Sequence, residues 1–160
     1  MLTIRPAGPE DCALLLSFIR ELAAYEKLAD QVQATEANLL RDGFGSRPRF
    51  EAAIANWKGA PAGFALWFYN YSTFAGRHGL YLEDLFVLPA FRGKGIGKAL
   101  LAHLASLATA QGCARYQWQV LDWNEPSIRF YELLGARRLP EWITMRVEGE
   151  ALASLASEAG

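Results

Sequence analysis

Residues 81–104, YLEDLFVLPAFRGKGIGKALLAHL, run from an apolar strand through a turn holding Gly93, Gly95 and Gly97 straight into an apolar helix. A strand–turn–helix unit commits a chain to a sheet with a helix laid across it. The glycines say what the turn is for. A helix start leaves backbone N–H groups unpaired and partly positive, and glycine, lacking a Cβ, lets a ligand come close to them. Phosphate suits such a place, and Arg92, Lys94 and Lys98 crowd positive charge around it. Two common nucleotide-binding patterns fail here. A Walker loop, GxxxxGK[ST], requires glycine where Arg92 stands and a hydroxyl where Ala99 stands; a dinucleotide fingerprint, GxGxxG, requires glycine at Leu100. What remains is Arg92-x-x-Gly95-x-Gly97.

The rest of the chain alternates in a way that fits this unit. LTIRPA (2–7) reads as a short strand. Gly8, Pro9, Glu10 and Asp11 read as a helix start, with acids at the positive end of the dipole. Leu14, Leu15, Phe18, Ile19 and Leu22 then share one helical face. A second helix is expected from Thr35 to Asp42, stopping at DGFG. RFEAAIANW (49–57), AGFALWFYNY (62–71) and GLYLEDLFVL (79–88) read as strands, and the short turns between them make them antiparallel neighbours. The helix after the glycines turns Leu100, Leu101, Leu104, Leu107 and Ala108 inward and stops at Gly112. ARYQWQVL (114–121) reads as a strand, NEPSIRFYELLG (124–135) as a capped helix, EWITMRVE (141–148) as a last strand, and residues 149–160 as a frayed helical tail. The order β-α-α-β-β-β-α-β-α-β predicts one mixed α/β domain over residues 1–148, a mostly antiparallel sheet flanked by helices.

Charge and cysteine content exclude several functions. Lys and Arg number 16 against 17 Asp and Glu, too even a balance for a nucleic-acid surface. No run approaches the ~20 apolar residues of a membrane span, and the start lacks a signal-peptide core. Cys12 and Cys113 stand far apart without metal spacing, which predicts no metal site and a reduced, cytoplasmic setting.

The Arg92–Gly97 turn in this element order resembles the acetyl-CoA pyrophosphate loop of the GNAT superfamily of N-acetyltransferases. ELAAYEKLADQV, LLRDGFG, YLEDLFV and VLDWNEPSIRFYELLGA sharpen the likeness to its diamine acetyltransferase branch, which holds the spermidine/spermine and thialysine N-acetyltransferases. The resemblance runs from about Ile4 to Ala136. It implies the GNAT fold, acetyl-CoA as cosubstrate, a small cationic amine as acceptor, direct attack in a ternary complex, and a homodimer. It places Phe86, Val87, Arg92, Gly93, Lys94, Gly95, Ile96, Gly97, Lys98, Asn124, Ser127 and Tyr131 on the cofactor side. Tyr25, Glu26, Glu83 and Asp84 fall on the amine side.

The residues suit that chemistry. An ammonium with a pKa of ~10.4 is neutral in about one molecule in a few thousand at pH 7, so freeing the amine costs roughly 4–5 kcal/mol unless the site helps. The departing thiolate benefits from a nearby acid. The resemblance gives Tyr131 the role of that acid, although its spacing with Ile128 and Leu134 also suits core packing. Asn124 is a good helix N-cap whatever else it does. Glu83 and Asp84 interrupt an apolar strand; as adjacent residues they point to opposite faces, so they line one pocket only across a bulge. Glu83 is the expected holder of the cation and acceptor of its proton, with Asp84 second. His78 and His103 have no partner in sequence that suggests chemistry. Ser72 and Phe74 stand where polyamine acetylators carry an acid and a tryptophan, which favours a lysine-like amino acid as acceptor. A protein or antibiotic acetyltransferase and a non-catalytic acyl-CoA-binding module remain the alternatives.

Overall fold

The computed structural model describes residues 1–160 as two compact units, Met1–Leu121 and Asp122–Gly160. The first unit holds a five-stranded sheet of β1 (Leu2–Pro6), β2 (Glu51–Trp57), β3 (Ala60–Ser72), β4 (Arg77–Val87) and β5 (Tyr116–Trp118), in that spatial order. The first four strands pair antiparallel, as the short turns between β2, β3 and β4 require. β5 joins β4 in parallel after a helical crossover. The helices are α1 (Cys12–Tyr25), α2 (Glu36–Phe44) and α3 (Ile96–Ala110).

The core forms where the apolar face of α1 meets β2, β3 and β4. Leu15, Leu16 and Phe18 of α1 pack with Ile54, Phe64, Leu66 and Phe86, all buried. The Phe18 and Phe64 rings stack at 5.2 Å, adding roughly 0.5–1.5 kcal/mol to the burial itself. Asp11 secures the entry to α1. Its carboxylate accepts two hydrogen bonds from Arg5, at 2.7 and 2.9 Å, and one from the Gly8 amide at 2.8 Å. Those bonds hold its pKa below the ordinary carboxylate value despite its burial. α2 begins one residue later than the sequence suggests, because Thr35 is its cap: Thr35 Oγ1 accepts from the Asn38 amide while the Thr35 amide donates to Asn38 Oδ1.

The second unit holds α4 (Glu125–Leu133) and α5 (Gly149–Ala156), so the tail does form a helix. The expected last strand is corrected: EWITMRVE, residues 141–148, forms no strand. A strand exists only through a partner's ladder, and this segment has none, leaving Trp142, Ile143 and Met145 at 76%, 81% and 86% exposure. β5 is likewise shorter than expected: only Tyr116–Trp118 pair with β4 as a strand.

Candidate active site

The glycine turn ends β4 and opens α3. Gly95 caps the helix in the left-handed region, at φ 77°, and offers no side chain to satisfy the first turn. The amides of Gly93 through Lys98 accordingly donate to no backbone carbonyl. A Cβ on Gly93 or Gly95 would meet nothing within 4 Å, and one on Gly97 would meet only Val87 Cγ2 at 3.9 Å. Six amides without a backbone acceptor, at the positive end of a 15-residue helix, suit a diphosphate. Phe86, buried, and Val87, half-buried, close β4 beneath it, and Ile96 anchors the turn in the core. Lys94 and Lys98 are exposed, and Lys94 Nζ lies 5.6 Å from the Trp57 ring centre.

β4 carries a bulge. Leu66 of β3 opposes Asp84 and Trp67 opposes Leu82, so Glu83 is the extra residue. Leu66 belongs to the core face turned to α1, which puts Asp84 on that face too. Tyr81 opposes Phe68, on the same side as Leu66, and Glu83, two residues on, follows Tyr81. The bulge therefore brings two adjacent carboxylates to one face. The parallel ladder with β5 also stops at the Leu82–Trp118 pair, so β4 opens on that edge from Glu83 onward.

Glu26, at the C-terminal cap of α1, completes a cluster of three acids. Asp84 is half-buried, and its pKa rises to about 7, first from loss of water and then from the charges of Glu83 and Glu26. Glu26 is raised for the same reasons, burial first and Glu83 second. Burial and Glu83 also raise the Tyr81 hydroxyl, whose ring stacks on Phe68 at 5.2 Å. None of the three carboxylates has a cationic partner within this chain. Like charges without a counter-ion, two of them half-buried, are costly, so a cation from outside suits this place.

Arg92 links the two halves of this region. Its guanidinium lies 5.0 Å from the Tyr25 ring centre and 5.3 Å from that of Phe86, and its Nε donates to the Val87 carbonyl at 3.1 Å. Residue 92 was expected among the phosphate contacts; here its planar group is stacked between the end of α1 and β4. Tyr25 and Glu26 thus sit at the junction of turn and carboxylates. Sequence reasoning missed Tyr81 and Trp57. The period-2 relation of Tyr81 to Glu83 was a usable signal, whereas nothing local ties Trp57 to Lys94.

In the second unit Asn124 is buried and caps α4, its Oδ1 accepting from the half-buried Ser127 amide at 3.4 Å. Tyr131 lies one turn further, half-buried, with its ring 5.6 Å from Phe130. Its carbonyl accepts from the Leu134 and Ala136 amides at the helix end. His78 shares Gln111 with Tyr69, and His103 is half-buried on α3; neither joins the acids.

The chain is similar to known acetyltransferases. The sequence matches the Acetyltransferase (GNAT) family over residues 16–136. It is 43% identical to the thialysine N-epsilon-acetyltransferase of Sus scrofa, with 97% of each chain covered. It is 30% identical to an L-ornithine N5-acetyltransferase of Arabidopsis thaliana, covering 95% of this chain and 86% of the relative. Among solved structures, an integron cassette protein from the mobile metagenome of V. cholerae superposes with a TM-score of 0.82 at 29% identity, covering 97% of both chains.

Proposed function

The chain belongs to the acetyltransferase (GNAT) family and is an N-acetyltransferase; from that premise we propose that it acetylates the side-chain amine of a lysine-like amino acid, using acetyl-CoA. The observation that carries this reading is the trio Glu26, Glu83 and Asp84, two of them brought to one face by the β4 bulge and the third reaching them from the end of α1, all lacking a cation of their own. The relatives acting on thialysine and ornithine, both amino acids with a terminal amine, support the same acceptor class.

Family members take their acyl group from acetyl-CoA, and the open amides of Gly93–Lys98 fit the diphosphate of such a carrier. When bound, the thioester supplies an activated acyl carbon. The protein's share is to hold and neutralise the amine. Glu83 and Glu26 attract the ammonium; the loss of one proton to the carboxylates leaves a nitrogen lone pair free to attack. In this proposal Tyr131, on α4, protonates the departing thiolate. Asn124 and Ser127 steady the start of α4 and contact the carrier, and Arg92 keeps Tyr25 and β4 in register with the turn. Residues 1–148 act as one catalytic domain in a cytoplasmic homodimer. The exposed Trp142, Ile143 and Met145 support the second subunit, and light scattering should report twice the mass of one chain.

Glu83→Gln is expected to raise KM for thialysine by ~10-fold or more, with a smaller change in kcat, since it removes charge from the cation's seat. Thiol release measured across thialysine, lysine, putrescine, spermidine and a peptide amine tests acceptor and variant together. A preference for the peptide, or a KM untouched by Glu83→Gln, would refute the reading.

A further inference from the structure

We infer that Asp84, rather than Glu83, is the base that takes the proton from the acceptor ammonium. The inference rests on the amine-acetylating reading above and divides labour within the carboxylate trio by position. Glu83 is the bulged residue and is exposed to water, so it can meet an incoming cation while staying solvated. Asp84 lies one residue further, opposite the buried Leu66 and two residues from the buried Phe86, on the floor of the same face. It makes no hydrogen bond and no ion pair.

A carboxylate held in this way is a poor anion and a good proton acceptor. Glu83 and Glu26 bear directly on its charge. Glu83 and Tyr81 come from β4, Glu26 and Tyr25 from the end of α1, and Arg92 from the turn, where its guanidinium is stacked on Tyr25 and Phe86. The acids outnumber the one cation. Loss of water first, and then the charges of Glu83 and Glu26, lift Asp84 from about 3.8 to about 7, which improves the equilibrium for taking an ammonium proton by about three orders of magnitude over an ordinary aspartate. Glu83 serves this step twice, by drawing the ammonium in and by raising its neighbour.

The proton balance closes without a further reactant. One N–H bond of the ammonium breaks and its proton passes to an Asp84 oxygen. The freed lone pair forms the C–N bond, and the C–S bond breaks with its electrons on sulfur. The thiolate gains a proton from Tyr131; the second nitrogen proton restores Tyr131, and Asp84 releases its own to water.

The ionised form of Asp84 also bears on folding. Its pKa is higher in the folded than in the unfolded chain, so its stabilising share is fully present below about 3.8 and is lost as pH rises through about 7. Asp84→Asn should therefore unfold at higher urea than the wild type at pH 8, with the difference gone at pH 4.

The decisive experiment compares wild type, Asp84→Asn and Glu83→Gln with thialysine and with its aminooxy analogue, which is already neutral at pH 7. For the wild type, kcat/KM for thialysine should fall on the acid side with an apparent pKa near 7. Asp84→Asn should lose ~10²-fold at pH 8 and lose the acid limb, yet stay within about 3-fold of wild type on the aminooxy analogue. Glu83→Gln should keep the limb. Equal loss on both acceptors, or an acid limb that vanishes in Glu83→Gln but survives in Asp84→Asn, overturns the inference. Wild-type enzyme that acetylates no amine overturns the underlying reading instead.

Discussion

Valine at Gly97 is expected to weaken coenzyme A binding by ~10- to 100-fold in a protein that still folds. The expectation follows from where the added atoms go. A Cβ at Gly97 meets no protein atom nearer than Val87 Cγ2 at 3.9 Å, so the chain itself barely resists the change. What the side chain blocks is access to the unpaired amides between Gly93 and Lys98. A hydrogen bond to a charged group contributes about 1.5–3 kcal/mol, which is roughly 10- to 150-fold in Kd. Valine at Gly95 adds a second effect: the residue sits at φ 77°, where a β-branched side chain costs about 1–3 kcal/mol. Gly95→Val should therefore weaken binding and lower the melting temperature together, whereas Gly97→Val affects binding more selectively. Calorimetric titration with coenzyme A separates the two. Wild-type affinity in folded Gly97→Val would remove the turn from the donor site.

The second large effect is expected at Tyr131. Tyr131→Phe keeps the ring and its place beside Phe130, 5.6 Å away, and deletes only the hydroxyl. If that hydroxyl protonates the thiolate, kcat falls at least ~10-fold, towards the ~10²–10⁴ typical of a lost general acid, while coenzyme A affinity changes little. The loss should shrink with an acyl donor whose thiol is more acidic, because such a thiolate leaves without help. An unchanged kcat, or an equal loss with the more acidic leaving group, would mean that Tyr131 serves packing alone. Since α4 starts at a buried Asn124 cap, the melting temperature of Tyr131→Phe needs to stay near wild type for the kinetics to be interpretable.

The glycine turn, the helix behind it, the hairpin-linked strands and the cap at Asn124 were all legible in the sequence. Each depends on residues within a few positions of one another. Gly95 in the left-handed region and the apolar stripe of Leu100, Leu101 and Leu104 are local necessities. The error lay in EWITMRVE, whose alternation and β-branched residues describe a strand as well as any in the chain. Alternation states which faces a strand would show; it says nothing about whether a neighbour exists to hydrogen-bond with.

The carboxylate site marks the same boundary. The sequence supplied the acids and even the condition for their use, since Glu83 and Asp84 share a face only across a bulge. Whether a bulge is present depends on counting β4 against β3, Leu66 to Asp84 and Trp67 to Leu82, and that register is a relation between two strands. The stacking of Arg92 on Tyr25 joins residues 67 positions apart, and the rise of Asp84 to about 7 comes first from its burial, then from Glu83 and from Glu26, brought up from the end of α1. Sequence by itself settled the local backbone and the kind of chemistry on offer, because propensity and periodicity act over a few residues. Only the tertiary structure decided which acids confront one another, because burial and Coulomb interaction depend on distance through space.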